Sequence, residues 1–505
     1  MARREKKHTD TLIHLGTEAE LWRTTDGQPF ATVEDGGTHQ NLEVDSNQFQ
    51  RWLARRFWEE EETAAGANGL KQAIEVLAAM AIHEGTEHDT FIRLARHGPN
   101  VYLDRGGPEW HTIEITPEGW QPVLNPPVRF RRSPGVGELP WPEPGGSLDD
   151  LCRFVNVRGD RDFVLAVSWL LGALNPGGPF PIALIQGEQG SAKSTLTRVL
   201  RSLIDPATPI HTTKPKSEQD LVISAHNSWV QAFDNLSKIP DLLSDAFCRI
   251  ATGGGFKTRR LYHDTEEISL YVCRPQILNG IEDLATRDDL RDRGILFELP
   301  AIVGGDRKPE RQFWAEFDEA RPRILGALLD AVSTALREQP HVNVEELPRM
   351  ADFATWVIGA EKGLPWQPGT FLDAYEENQR DASSLVLENS ELGQRMIRFA
   401  EEHMPWDGTP TELYAHIWGR TGNLRGGRAT AASMSQDLKR IAPSLRHRGI
   451  DVTWHRENDR NRTRKIAVRA VHGVQGWLED LHDEERRSRT VAVPVEVVDG
   501  LVPVG

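Results

Sequence analysis

Apolar residues recur at helical spacing in the first part of the chain. In DSNQFQRWLARRFWEEEE, Phe49, Trp52, Leu53 and Phe57 fall on one face behind a capping residue, Ser46. NGLKQAIEVLAAMAIHEG repeats the pattern with Leu70, Ile74 and Leu77. The period then shortens to alternation in TFIRLARHG, NVYLDRGG and WHTIEITPEG, which predict strands joined by glycine turns. NPPVRFRRSPGVGELPWPEPGG is dense in Pro and Gly and predicts a linker. From Ser147 to about residue 300, short apolar runs (PIALIQG, SWVQAFDN, LYVCRPQILNG, RGILFELP) alternate with helical stretches. That rhythm predicts a mostly parallel sheet covered by helices, an α/β class. Helices dominate from Arg311 to about Arg380. From Glu388 to Val471, two helical segments, TPTELYAHIWGR and TAASMSQDLKRIAPSLRHRG, precede two strands around a basic turn in IDVTWHRENDRNRTRKIAVRAV. Leu438, Ile441 and Leu445 form the apolar face of the second helix. The expected layout is an N-terminal α+β accessory, collar-like domain (1–145), a sheet-and-helix core (146–310) and a helical lid (311–385). A C-terminal helix–helix–hairpin unit (386–471) and a tail (472–505) follow.

Composition sharpens this only in part. With 38% hydrophobic and 27% charged residues the chain is globular in character. It has no run of about 18 apolar residues, and MARREKKHTD has no apolar stretch behind it, so a cytoplasmic protein without a membrane partner is expected. Cys152, Cys248 and Cys273 lie far apart, which argues against a disulfide framework or a structural zinc site. A net charge of -16 discourages nucleic-acid binding over the whole surface. Between Arg420 and Arg469, however, thirteen Lys and Arg face four Asp and Glu, so the cations are concentrated at one end.

The chemistry centres on IALIQGEQGSAKSTLTRVL. A strand feeds a glycine-rich turn and then a helix, the arrangement in which backbone N–H groups cradle phosphate. Gly187, Glu188, Gln189, Gly190, Ser191, Ala192, Lys193, Ser194 and Thr195 form the candidate nucleotide loop. Lys193 reaches the β/γ-phosphates and Ser194 holds Mg²⁺, with Thr195 a stand-in. Ala192 stands where the motif has glycine; an alanine at the helix entrance is compatible with right-handed helical angles. SWVQAFDN ends a strand in Asp234, placed to support Mg²⁺. Asn235 follows where many ATPases carry a carboxylate, which leaves Glu188 as a candidate base or makes hydrolysis slow. RPQILNGIEDL ends a strand in Asn279, a candidate holder of the attacking water. Arg287, Arg291 and Arg293 trail it, and an arginine there suits a finger that senses a neighbouring subunit's γ-phosphate. Each motif has a plainer reading: a ligand-free turn, a turn-forming Asn-Gly, surface salt bridges.

Taken in order, the phosphate loop, the Asp-ended strand, the basic segment ATGGGFKTRRLYHD, the Asn-ended strand and the trailing arginines resemble the superfamily 3 helicases. More narrowly they resemble primase-helicase-type ATPases of phages, plasmids and integrated elements, over about Ser147 to Val471. The resemblance implies a P-loop AAA+ fold that binds ATP and Mg²⁺ and forms a homo-hexamer. Gly187, Gly190, Lys193 and Ser194 match Walker A, Asp234 Walker B and Asn279 the sensor asparagine; Arg291 or Arg293 would be the finger. Lys257, Arg259 and Arg260 fall in the hairpin that grips single-stranded DNA in the ring's pore. The C-terminal unit resembles the winged helix-turn-helix that ends many such helicases, with Lys439, Arg440, Arg460, Arg462 and Arg464 available to duplex or fork DNA. A replicative helicase or translocase with a primase or polymerase partner is the first expectation. A nucleotide-controlled DNA-binding switch without motor activity is the alternative. A small-molecule kinase explains neither the arginines nor the basic C-terminal unit.

Overall fold

The computed structural model describes residues 2–236, 239–259, 267–280, 288–302, 308–419, 430–457 and 462–471. The chain is a mixed α/β protein of helices and several sheets, divided into two compact units, Met1–Gln379 and Arg380–Gly505.

Ser46 caps the helix Asn47–Glu61 by accepting a hydrogen bond from Phe49 N at 3.2 Å, and Phe49, Leu53 and Phe57 are buried, as the helical spacing predicts. Together with Ala67–His83 and a helix at Ala2–Gly16 this helix covers a four-stranded sheet. Neither that first helix nor the strands Glu20–Thr24, Pro29–Asp35 and Thr38–Glu43 stand out in the sequence. A second sheet, Leu94–His97, Asn100–Asp104, Thr112–Thr116 and Gly119–Val123, is an antiparallel meander.

The stretch expected to be a linker is not one. Leu139 is fully buried, in one continuous core with Leu103 and Ile115 of the meander and with Leu165, Val199 and Leu328 further along the chain. Gly137 N donates to Pro206 O at 2.7 Å and Glu143 N to Pro322 O at 3.0 Å. The Arg93–Asp205 ion pair, 2.9 Å and almost inaccessible, ties the meander to the following layer. Proline and glycine here shape a strap whose apolar residue is anchored, so composition alone overstated its freedom.

The central sheet is parallel throughout, in the order Gln231–Phe233, Gln276–Asn279, Ile182–Gln186, Gly294–Glu298. Its residues divide between two cores by strand alternation. Ala183, Ile185, Ala232, Ile277, Ile295 and Phe297 pack on one face. Ile182, Leu184, Phe233 and Leu278 pack on the other. Burial on both faces explains the near-continuous apolar runs. LYVCRPQILNG resolves into two strands: Glu267–Val272 pairs with Gly254–Arg259 in a hairpin, and Gln276–Asn279 enters the sheet.

In the second unit the helices Glu391–His403, Pro410–Trp418 and Ala431–His447 pack on a three-stranded antiparallel sheet of Trp406–Gly408, Arg464–Ala470 and Ile450–Arg456. Leu438, Ile441 and Leu445 are buried with Leu413, Val452 and Val468. Thr409 and Glu412 form a reciprocal cap on the middle helix.

Candidate functional site

The C-terminal ends of three parallel strands, Gln186, Phe233 and Asn279, open onto one place. Past Gln186 the chain turns through Gly187 (φ 149°) and Gly190 (φ 85°) into the helix Lys193–Ile204. A Cβ at Gly187 would lie 2.8 Å from both Leu299 O and Ser191 Oγ, so glycine is required there by space as well as by dihedral. Ser191 Oγ donates to Glu188 O at 2.9 Å, and Glu188, Gln189 and Gly190 are exposed. Ala192 corrects the expectation from sequence: φ is 64° and ψ 30°, a left-handed conformation that an L side chain adopts at a cost. The reason lies in the turn, which must reverse direction before the first helical N–H.

Lys193 Nζ donates to Gly187 O and Glu188 O, both at 2.7 Å, so the ammonium folds over the loop. Burial lowers its pKa, and the charge of Asp234 partly offsets this. Ser194 Oγ donates to Asp234 Oδ2 at 3.0 Å, bringing together the two residues predicted to share a cation; Thr195 sits half-buried beside it. A hydroxyl and a carboxylate are hard oxygen donors of the kind Mg²⁺ takes through one or two protein groups, so the pair fits that ion. Asn235 is exposed with φ 58°, and its backbone N–H is bound by Asp234 Oδ1 at 2.8 Å and Asn279 Oδ1 at 3.1 Å.

Asn279 is only 1% exposed, and its amide is engaged at both ends: Nδ2 donates to Thr197 Oγ1 at 2.9 Å while Oδ1 accepts from Asn235 N. It therefore ties the loop helix to the Asp234 strand end, rather than projecting freely toward a water molecule as the sequence suggested. Arg291 needs a second correction. It is 7% exposed within its own chain, and a buried guanidinium cannot be offered to a neighbour. Arg293 is half-buried and donates to Asp289 O at 2.8 Å. Both precede Gly294, which pairs with Ile182, so they lie at the sheet end opposite the glycine-rich turn. Arg287 lies outside the described residues.

Three residues at the site carry no sequence signal. Asn156 Nδ2 donates to Ser191 O at 3.1 Å and Pro300 O at 2.8 Å, clamping the back of the loop. His211 Nε2 is 3.2 Å from Asp234 Oδ2, the oxygen that also meets Ser194. Thr197, fully buried, links Asn279 to Lys193 O. All are ordinary polar residues at separations that only the fold closes.

Of the DNA candidates, Lys257 and Arg259 stand on the hairpin strand Gly254–Arg259, and Arg260 and Arg460 lie outside the described residues. In the second unit Lys439 Nζ lies 5.6 Å from the centre of the Trp454 ring, which joins the last helix to the hairpin. Arg440 is exposed and 3.4 Å from Asp437. Arg464 faces Arg456 across the strand pair, and Arg462 (φ 47°) is exposed in the turn. Helix and hairpin, each with basic side chains, pack against one another in the same unit.

Residues 148–370 match the family model of the actinomycete integrative conjugative element replication protein, and residues 392–485 match the model of the AICE RepA C-terminal domain. No curated protein matches the chain. Among solved structures, two apo forms of the NrS-1 C terminal region align at 11% identity with TM-scores of 0.39 and 0.40, covering 91% of this chain and 97% of theirs. A structure of JCV helicase with a thiazolopyridine-phenoxyphenyl acetamide bound aligns at 14% identity and TM-score 0.21, over 41% of this chain and 66% of that one. No helix among the described residues is long and apolar enough to cross a membrane.

Proposed function

Since the chain belongs to the replication-protein family of actinomycete integrative conjugative elements, we propose that it is an ATP-driven DNA helicase or translocase that replicates such an element. In this reading Met1–Gln379 holds a P-loop AAA+ core of the superfamily 3 type, and Arg380–Gly505 holds a winged helix. The chain works as a ring hexamer in the cytoplasm, with a primase or polymerase as partner. One observation carries the proposal: Lys193, Ser194 and Asp234 converge on a glycine-rich turn at the C-terminal ends of parallel strands.

Lys193 holds the carbonyls of Gly187 and Glu188; a triphosphate replaces those contacts and takes the ammonium onto its β/γ oxygens. The N–H groups of the turn and of the first helical residues supply the remaining donors. Ser194 and Asp234 would hold Mg²⁺, which neutralises phosphate charge. Asn279 senses the result through Thr197 and Asn235. Of the trailing arginines, Arg293 is the proposed finger. Lys257 and Arg259 bind the single strand by its phosphates, while Lys439, Arg440, Arg462 and Arg464 meet duplex or fork.

Turnover of ATP measured with and without single-stranded DNA tests this. A severalfold stimulation, abolished in Lys193→Ala, and a hexamer on sizing with an ATP analogue are expected. A monomer that ignores DNA and nucleotide overturns it. Asn235 favours a second reading, because an amide at that position accepts no proton: a DNA-binding switch with slow hydrolysis. Slow turnover indifferent to DNA, with assembly still changed by nucleotide, would select that reading.

A further inference from the structure

We propose that the N-terminal part of Met1–Gln379 holds its own binding cleft for single-stranded DNA, separate from the core hairpin. The cleft lies between the helix Asn47–Glu61 and the turn and strap at residues 106–110 and 132–136, and encloses about 520 Å³. That is the size of a site for a small organic group such as a nucleotide unit. Two indoles, Trp52 and Trp110, line it with Arg51, Arg55 and Arg132, against the single carboxylate of Asp35.

The aromatic groups are held rather than loose. Phe49 stacks on Trp52 at 5.4 Å and 25°. The Arg132 guanidinium sits 4.0 Å from the Trp110 ring centre. Arg132 is itself fixed by both oxygens of Asp104, at 2.8 and 2.5 Å. Trp110 has φ 57°, a conformation rare for a bulky side chain, which the surrounding turn imposes. Such bracing lets an indole receive a base without losing further freedom.

The cations divide by role. Arg132 is committed to Asp104, and Arg55 is shared with Asp35 at 2.9 Å. Arg51 is exposed and has no ion-pair partner among the described residues, so in a chain of net charge -16 it is an unneutralised cation beside two indoles. Aromatic platforms with a nearby arginine bind successive bases and backbone phosphates regardless of sequence. A second hollow adjoins the same indole. Trp110 borders this second hollow of about 280 Å³, which is lined by Arg129, His39, Glu20 and Asp104, with Arg129 paired to Glu20 at 2.6 Å. A ring standing between two hollows suits a strand that passes it better than a free mononucleotide. The choice of DNA over other strands rests on the replication reading above.

The test uses the full chain and a fluorescein-labelled thymidine 15-mer without ATP. Arg51→Glu, a surface change, is expected to weaken binding about fivefold to tenfold, and Arg51→Ala to reduce the salt slope by about 0.7. Trp110→Leu should weaken binding as much; if it melts below the wild type, Arg51→Glu decides. Crosslinking with a 5-iododeoxyuridine oligonucleotide should label peptides within 47–61 or 106–116. Wild-type affinity in Arg51→Glu overturns the cleft. So do adducts confined to residues 254–272 or 430–470, which would leave the replication reading standing. Adducts in the cleft that a mononucleotide chases also overturn it. If no oligonucleotide binds anywhere on the chain, both this inference and the reading it rests on fall.

Discussion

Replacing Ala192 by Gly gives a test whose sign depends on one backbone angle. At φ 64° and ψ 30° an alanine carries a strain of roughly 1–2 kcal/mol relative to the right-handed region. Glycine removes it but loses roughly 0.5–1 kcal/mol through the greater freedom of the unfolded chain. The balance is a stabilisation of about 0–1.5 kcal/mol. Were the residue an ordinary first helical residue, the same change would destabilise by about 0.5–1 kcal/mol. Urea unfolding of the full chain, followed by tryptophan fluorescence, separates the two through the transition midpoint at constant slope. Ala192→Val sharpens the contrast, because a β-branched side chain fits the left-handed region worse than alanine. A lower midpoint for the glycine variant refutes the turn geometry, and with it the placement of the Lys193 and Ser194 N–H groups.

Asn156→Ala removes one hydrogen bond to the loop carbonyl of Ser191 and one to Pro300 O and should cost about 1–2 kcal/mol of stability; steady-state kinetics should show KM for ATP raised severalfold with kcat little changed. Asp205→Ala leaves Arg93 and Arg201 buried without their carboxylate and should cost about 3–5 kcal/mol by denaturant titration. Burial by itself raises the Asp205 carboxyl, but Arg93 and Arg201 outweigh it and hold it below the ordinary range. Its contribution is therefore full above the unfolded value of about 3.9 and lost as pH falls through the folded one, so the variant should lose the wild type's acid sensitivity in that window. Lys439→Ala should weaken duplex binding uniformly across sequences and reduce the salt slope by about 0.9, read from titrations at several ionic strengths.

The parallel sheet was legible because each strand is buried on two faces and reads as an apolar run. The Ser46 cap was legible because its partner is three residues away. Gly187, Lys193, Ser194 and Asp234 were visible because the loop chemistry fixes residue types at fixed spacing. Asn156 and His211 were not. Asn156 reaches Pro300 across 144 residues, and nothing local distinguishes it from any surface amide. The strap failed for a different reason: Pro and Gly mark turns, but whether a turn is free depends on what Leu139 meets elsewhere. The strands between residues 20 and 43 escaped notice because each is short and holds polar residues inside, such as Thr32 and Asn41, whose hydrogen bond to each other replaces apolar contact. The left-handed angles of Ala192 are not legible because residue type sets only a preference among backbone angles, and the turn around it overrides that preference.

Under the proposed function, nucleotide and DNA must be coupled through a stiff path, and the backbone between Asn279 and the hairpin is a candidate for it. The hairpin strand ends at Val272 and the strand ending in Asn279 begins at Gln276, so three residues separate them. Those residues are fixed: Arg274 N donates to Ile250 O at 3.0 Å, and Pro275 O accepts from Gln231 N at 2.9 Å. The Gln276 amide, fully buried, donates to Phe247 O. In that reading a displacement at Asn279 would pass along extended backbone to the hairpin instead of being absorbed in a loop. The upstream end of that path is two bonds of the Asn279 amide, Oδ1 accepting from Asn235 N and Nδ2 donating to Thr197 Oγ1, and the second is the one that reaches the loop helix. Thr197→Val keeps the shape and removes the acceptor, leaving a buried amide short of one partner at a cost of about 1–3 kcal/mol. Thr197→Val also removes the hydroxyl's bond to Lys193 O, but the Lys193 ammonium keeps its contacts to Gly187 O and Glu188 O, so nucleotide affinity should change little while stimulation of turnover by single-stranded DNA is lost. Measured with saturating oligonucleotide, wild-type stimulation in Thr197→Val would show that the signal travels another way.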